Sequence, residues 1–233
     1  MLDKIIKLCE SGKFSQAMEL IQRSITDEEA NSEIYRIKGQ LEFEGQQIDE
    51  AINSLIESLR LDDTNQSALI LIGNVYATEK NDVETAKTYF NKVLELNTDN
   101  YVAQNNIGGL VAKTEDFETA KRYFTKTLEI KPDYAYAHYG LALIGHKQRL
   151  YSDAFDSCSE ALRLTVDKRL NRELANVYDF SKNLLIGIAK DYAEHMKLDI
   201  VWNKVKDSLE VQSGKPIVVK EDPSIGTPAI TKC

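Results

Sequence analysis

Apolar side chains recur along this chain at steps of three and four residues, the spacing that places them on one face of a helix. Residues 101–134 show the pattern well. Val102, Asn106, Ile107, Leu110 and Val111 mark one stripe, and Phe117, Ala120, Phe124 and Leu128 mark a second. Polar residues separate the two stripes. Pro132 follows the second, and proline does not continue a helix interior. The segment reads as two helices joined by a tight turn.

The same unit returns at a fixed interval. Ala17, Ala51, Ala86, Ala120 and Ala154 are 34, 35, 34 and 34 residues apart, and Gly39, Gly73, Gly108 and Ala142 are 34, 35 and 34 apart. The ladders stay 12 residues out of step except from Gly73 to Ala86, where the interval is 13. The extra residue is predicted in the turn near Lys80, Asn81 and Asp82, because an insertion inside a helix would rotate its apolar face by about 100°. Helix axes about 8–10 Å apart need small side chains where they come closest. The two ladders are predicted at that contact, with Leu55, Tyr76, Phe90, Phe117, Phe124 and Tyr151 filling the space beside it. A period near 34 is that of a helix–turn–helix repeat array. The predicted fold is all-α, a right-handed α-solenoid of about five helix pairs with a C-terminal helical cap.

The residues at these positions resemble the tetratricopeptide repeat (TPR) family. That family places Leu-Gly and then Tyr on the first helix of each pair, Ala, an aromatic and Ala on the second, and Pro at the end. Ile107-Gly108, Ala120, Phe124 and Pro132 fit the fourth unit; Ile72-Gly73, Tyr76, Ala86 and Phe90 fit the third; Tyr35, Gly39, Ala51 and Leu55 fit the second. The fifth departs at Ala142, Gly145 and Cys158 but keeps Leu141, Ala154, Ala161 and Leu162; the first is truncated, with Gly12, Phe14 and Ala17 opening its second helix. The units run approximately 1–31, 32–65, 66–100, 101–134 and 135–168. Residues 169–211 read as capping helices. One is a helix of about 25 residues carrying Leu170, Leu174, Val177, Tyr178, Leu184, Leu185, Ile188 and Tyr192, and the other, near 199–211, carries Val201, Trp202, Val205 and Leu209. Residues 212–233 hold Pro216, Pro223 and Pro228 and read as an extended or disordered tail of linker composition.

Composition narrows the function. The chain has 233 residues and a net charge of −8, which opposes binding to a phosphate backbone. The cysteines, Cys9, Cys158 and Cys233, form no CxxC pair, and a sparse, odd count fits a reducing compartment. No stretch has the length and apolarity of a signal peptide or a membrane span, so a cytoplasmic protein without membrane or nucleic-acid partners is expected. His138 and His146 are eight apart but have no third ligand at metal spacing. The HExxH, GxSxG and phosphate-loop motifs are absent, and Gly108-Gly109 belongs to the packing ladder. No catalytic residue, metal or cofactor is assigned, and the chain is not expected to be an enzyme.

The expected activity is protein binding. The resemblance implies that the first helix of each pair lines a concave groove. Residues beside the small-residue ladder then face it: Arg36, Gln40 and Phe43; Ile70, Asn74 and Ala77; Asn105, Gly109 and Lys113; Tyr139, Leu143, His146 and Lys147. Arg36, Gln40, Asn74, Asn105, Lys113, Tyr139 and His146 are the candidate peptide-binding residues, since amides bond a peptide backbone and aromatics anchor a side chain. Some TPR co-chaperones clamp a terminal carboxylate with cations on their third such helix. Asn105 and Gly109 stand there in this chain, which argues against a clamp. Two other readings stay open: an interaction arm of a longer enzyme whose catalytic domain follows Cys233, and an adaptor that self-assembles through its C-terminal helices.

Overall fold

Alternating apolar and polar faces produce eleven described helices. The computed structural model describes residues 1–166, 172–195, 217–222 and 227–232. The helices are α1 Leu2–Glu10, α2 Phe14–Thr26, α3 Ser32–Glu44, α4 Ile48–Leu61, α5 Gln66–Thr78, α6 Val83–Leu96, α7 Tyr101–Lys113, α8 Phe117–Ile130, α9 Ala135–Lys147, α10 Tyr151–Val166 and α11 Arg172–His195. Two strands, β1 Ile217–Asp222 and β2 Thr227–Lys232, pair antiparallel within the segment read from sequence as an extended or disordered tail. The expected helix near 199–211 lies outside the described residues. No described helix is long and apolar enough to cross a membrane.

Several helix boundaries have a local cause. Asn31, Asn65 and Asn100 cap α3, α5 and α7, each side chain accepting from the backbone N–H three residues on at 3.0 Å. Asp82 and Asp116 cap α6 and α8 in the same way. The turns between paired helices repeat too. Gly12, Gln46, Asn81, Glu115 and Arg149 hold φ of 71°, 62°, 51°, 62° and 60°, a left-handed position that ends the first helix of each pair. The following N–H reaches back to a helix carbonyl, as from Lys13 to Leu8 at 2.9 Å and from Gln47 to Glu42 at 2.8 Å. The α5–α6 turn, residues 79–82, is one residue longer than the others. The inserted residue is therefore in the turn.

The chain divides into two compact units, Met1–Leu110 and Val111–Cys233. In the first, Ile5, Ile21, Ile34 and Ile37 form one cluster, and Ile52, Leu55, Ala68, Ile72 and Val75 another. In the second, Ala120, Phe124, Ala137 and Ile144 pack together, while Ala142, Ala154 and Cys158 pack with Leu185 and Ile188 of α11. Gly39 and Gly73 make room for large side chains, whereas a Cβ on Gly145 would stand 3.0 Å from the Ala154 methyl. A Cβ on Gly39 would stand 2.7 Å from Leu55, and one on Gly73 would stand 2.6 Å from the Phe90 ring. In the fifth repeat the ladder residue grows to Ala142 and the partner position shrinks to Cys158, both fully buried. A larger residue on one helix thus faces a smaller one on the other.

One repeat replaces an aromatic contact by an ionic one. Tyr76 stacks on Tyr89 with ring centroids 5.9 Å apart. The matching positions of the preceding repeat are Glu42 and Ser54. Glu42 is buried, accepting from Ser54 Oγ at 2.5 Å and from Lys38 Nζ at 2.5 Å. Lys38 also donates to Ser54 Oγ at 2.8 Å, so the buried carboxylate is paired and hydrogen-bonded.

Candidate binding face

The candidate residues of the first unit come from α3, α5 and α7, and side-chain hydrogen bonds order them. On α3, Arg36 donates through Nε and Nη2 to Glu33 Oε1 at 2.9 and 2.7 Å, and through Nη1 to Gln40 Oε1 at 2.9 Å. Gln40 Nε2 donates onward to Glu44 Oε1 at 3.2 Å. The guanidinium is thus partly neutralised and held along the helix.

On α5 and α7 three asparagines form a directional relay. Asn105 Nδ2 donates to Asn106 Oδ1 at 3.4 Å, and Asn106 Nδ2 donates to Asn74 Oδ1 at 2.9 Å. Asn74 Oδ1 is therefore used, and its Nδ2 has no partner among the described residues. At the other end, Asn105 Oδ1 is buried and has no partner among the described residues. Such an acceptor is costly to leave unmade, by about 1–3 kcal/mol. Gly109 has open space where a Cβ would stand. Neither α5 nor α7 carries an Asp or a Glu. The face offers N–H donors and no carboxylate, chemistry suited to an acceptor-bearing chain.

The second unit holds the remaining candidates. Lys113 is exposed at the end of α7. Tyr139 is half-buried with its ring 6.1 Å from that of Phe180, and burial pushes its phenol above the ordinary value. His146 Nε2 lies 2.7 Å from Asp191 Oδ2, and the His146 ring sits 6.3 Å from Tyr151. α11 therefore engages both Tyr139 and His146. Among the described residues no group of three or more His, Cys, Asp or Glu side chains is placed to hold a metal ion.

The structure thus joins Arg36 to Gln40, and Asn74 to Asn105 through Asn106. Reading by spacing assigned Asn106 to the packing stripe and missed its place in the relay. The adjacent pair Asn105-Asn106, one repeat beyond Asn74, was the available clue. Phe180 and Asp191 were missed because they depend on where α11 lands.

Two stretches match family models described as tetratricopeptide repeat, residues 66–100 and 110–165. No curated protein matches the sequence. Among solved structures, the chain is similar to PilW, described as a widely conserved type IV pilus biogenesis factor, at 16% identity and a TM-score of 0.65, covering 88% of this chain and 96% of that one. PilF of Pseudomonas aeruginosa matches at 14% identity and a TM-score of 0.61, covering 88% and 95%. MamA matches at 22% identity and a TM-score of 0.58, covering 70% and 94%. At these identities the likeness is one of fold.

Proposed function

We propose that the chain, whose residues 66–100 and 110–165 match tetratricopeptide-repeat models, is a non-catalytic scaffold that binds a peptide segment or a helix of another protein along the first helices of its pairs. The observation that carries the reading is the acid-free amide face of α5 and α7, where the relay leaves Asn74 Nδ2 as a donor. Arg36 and Gln40 flank it on α3. Lys113, Tyr139 and His146 are the candidates of the second unit, the latter two in contact with α11. A cytoplasmic location belongs to the same reading, supported by the sparse, unpaired cysteine content.

The test is a quantitative pull-down from native lysate followed by affinity measurement on the recovered partner. Arg36→Ala combined with Asn105→Ala, and separately Asn74→Ala, should weaken capture while leaving the melting temperature within a few degrees of wild type, since changes away from packing usually stay within roughly 0.5 kcal/mol. Unchanged affinity in both variants would place the site elsewhere.

A further inference from the structure

We propose that His146 is a proton-operated latch, whose charge sets how firmly α11 docks on α9 and α10 within the second unit. The inference concerns the hold on α11 and stands whether or not the face binds a peptide.

The docked helix is not held by apolar contact alone. Leu185 and Ile188 of α11 pack on Ala142 of α9 and on Ala154 and Cys158 of α10. Ser181 enters the same contact, where its carbonyl accepts from Cys158 Sγ at 3.0 Å. Its side chain is fully buried, and Ser181 Oγ has no partner among the described residues. A buried hydroxyl without a partner opposes docking, because water satisfies it in the open state. An ion pair between the helices therefore weighs in the balance.

His146 supplies that pair. It lies in the last turn of α9 with its side chain 22% exposed, and its Nε2 stands 2.7 Å from Asp191 Oδ2 of α11. The ring also lies close to the α11 backbone, since a Cβ on Gly187, one turn before Asp191, would stand 3.7 Å from His146 Cε1. The Tyr151 ring of α10 is 6.3 Å away, and Tyr151 meets Tyr192 of α11 at 5.8 Å. Three helices thus converge on one imidazole. Other charges nearby point elsewhere or lie in water. Lys190 of α11, Asp153 and Asp156 of α10, and Lys147 and Arg149 after His146 are exposed. Tyr139, two turns earlier on α9, meets Phe180, and His138 bonds the Pro132 carbonyl.

Imidazole changes charge between about pH 5 and 8. Protonated, His146 gives Asp191 a charge-assisted hydrogen bond in a contact partly shielded from water. Neutral, it gives an uncharged one, and only with the proton on Nε2. α11 is therefore held most firmly at the acid end of that range and loosens as pH rises through it.

The experiment reads α11 through Cys158. In the full chain carrying Cys9→Ser and Cys233→Ser, a thiol reagent is applied at a fixed urea concentration below the unfolding transition. The Cys158 rate is divided by that of the urea-unfolded chain at the same pH, which cancels the titration of the thiol itself. Protection so defined should fall about tenfold from about pH 5.5 to about pH 8. His146→Gln and Asp191→Asn should each abolish the fall, and Asp191→Glu should keep most of it. Protection that is flat in wild type, that rises with pH, or that falls equally in His146→Gln and Asp191→Asn would overturn the proposal. The His146 ring signals, followed by NMR without any substitution at the pair, should titrate in step with the loss of protection; a mismatch would overturn it as well.

Discussion

Single residues carry two costs that the repeat imposes and that can be measured. The turn positions at Gln46, Glu115 and Arg149 hold side chains in left-handed backbone that favours glycine. The steric cost there is about 1–2 kcal/mol, and glycine returns part of it as unfolded-state entropy. Gln46→Gly, Glu115→Gly and Arg149→Gly should each stabilise by about 0.5–1 kcal/mol in urea titrations, with Asn81→Gly nearer zero because asparagine tolerates this conformation. The second cost depends on pH. Hydrogen bonds from the Thr85 hydroxyl and backbone N–H hold the Asp82 carboxyl below its ordinary value, and Thr119 does the same for Asp116. A carboxylate depressed in the folded state stabilises above its unfolded pKa, and that contribution is lost as pH falls through the folded value. Wild type should therefore lose stability in the acid range below about pH 4. Asp82→Asn with Asp116→Asn should keep the caps but show a shallower acid dependence in the same titrations.

Elements meet through paired sizes, and this is where packing substitutions belong. Ala120 is fully buried against Phe124, Ala137 and Ile144, so Ala120→Leu should cost about 1–3 kcal/mol by overpacking. A fully stable variant would mean that the contact is elsewhere. Gly73→Ala should cost a similar amount because the new methyl would meet the buried Phe90 ring at 2.6 Å. Adding Phe90→Leu should make the double variant less damaging than the two single losses combined, as a double-mutant cycle would show. The repeat period made these contacts legible as positions. It did not show that glycine answers Leu55 or Phe90, because the partner is chosen by how far the second helix rotates. The buried Lys38–Glu42–Ser54 group was hidden for a related reason: Glu42 looks solvated until its helix face is known.

At the scale of the molecule, acidic charge is kept off α5, α7 and α9 although the chain is acidic overall. Within the second unit, α11 covers Cys158, whose Sγ donates to the Ser181 carbonyl at 3.0 Å and whose thiol burial pushes up to about 12. In a Cys233→Ser background, a thiol reagent should modify Cys9 in the native protein and reach Cys158 only as urea opens the unit. Rapid native labelling of Cys158 would mean that α11 does not hold its place. The 34-residue period by itself determined the helix pairs and their turns, because small residues and helical stripes are local features that recur in phase. Only the tertiary structure decided that Asn106 links Asn74 to Asn105 and that α11 takes up Tyr139 and His146. Those contacts join residues 32 to 45 positions apart, and sequence spacing carries no record of the rotation that brings such side chains together.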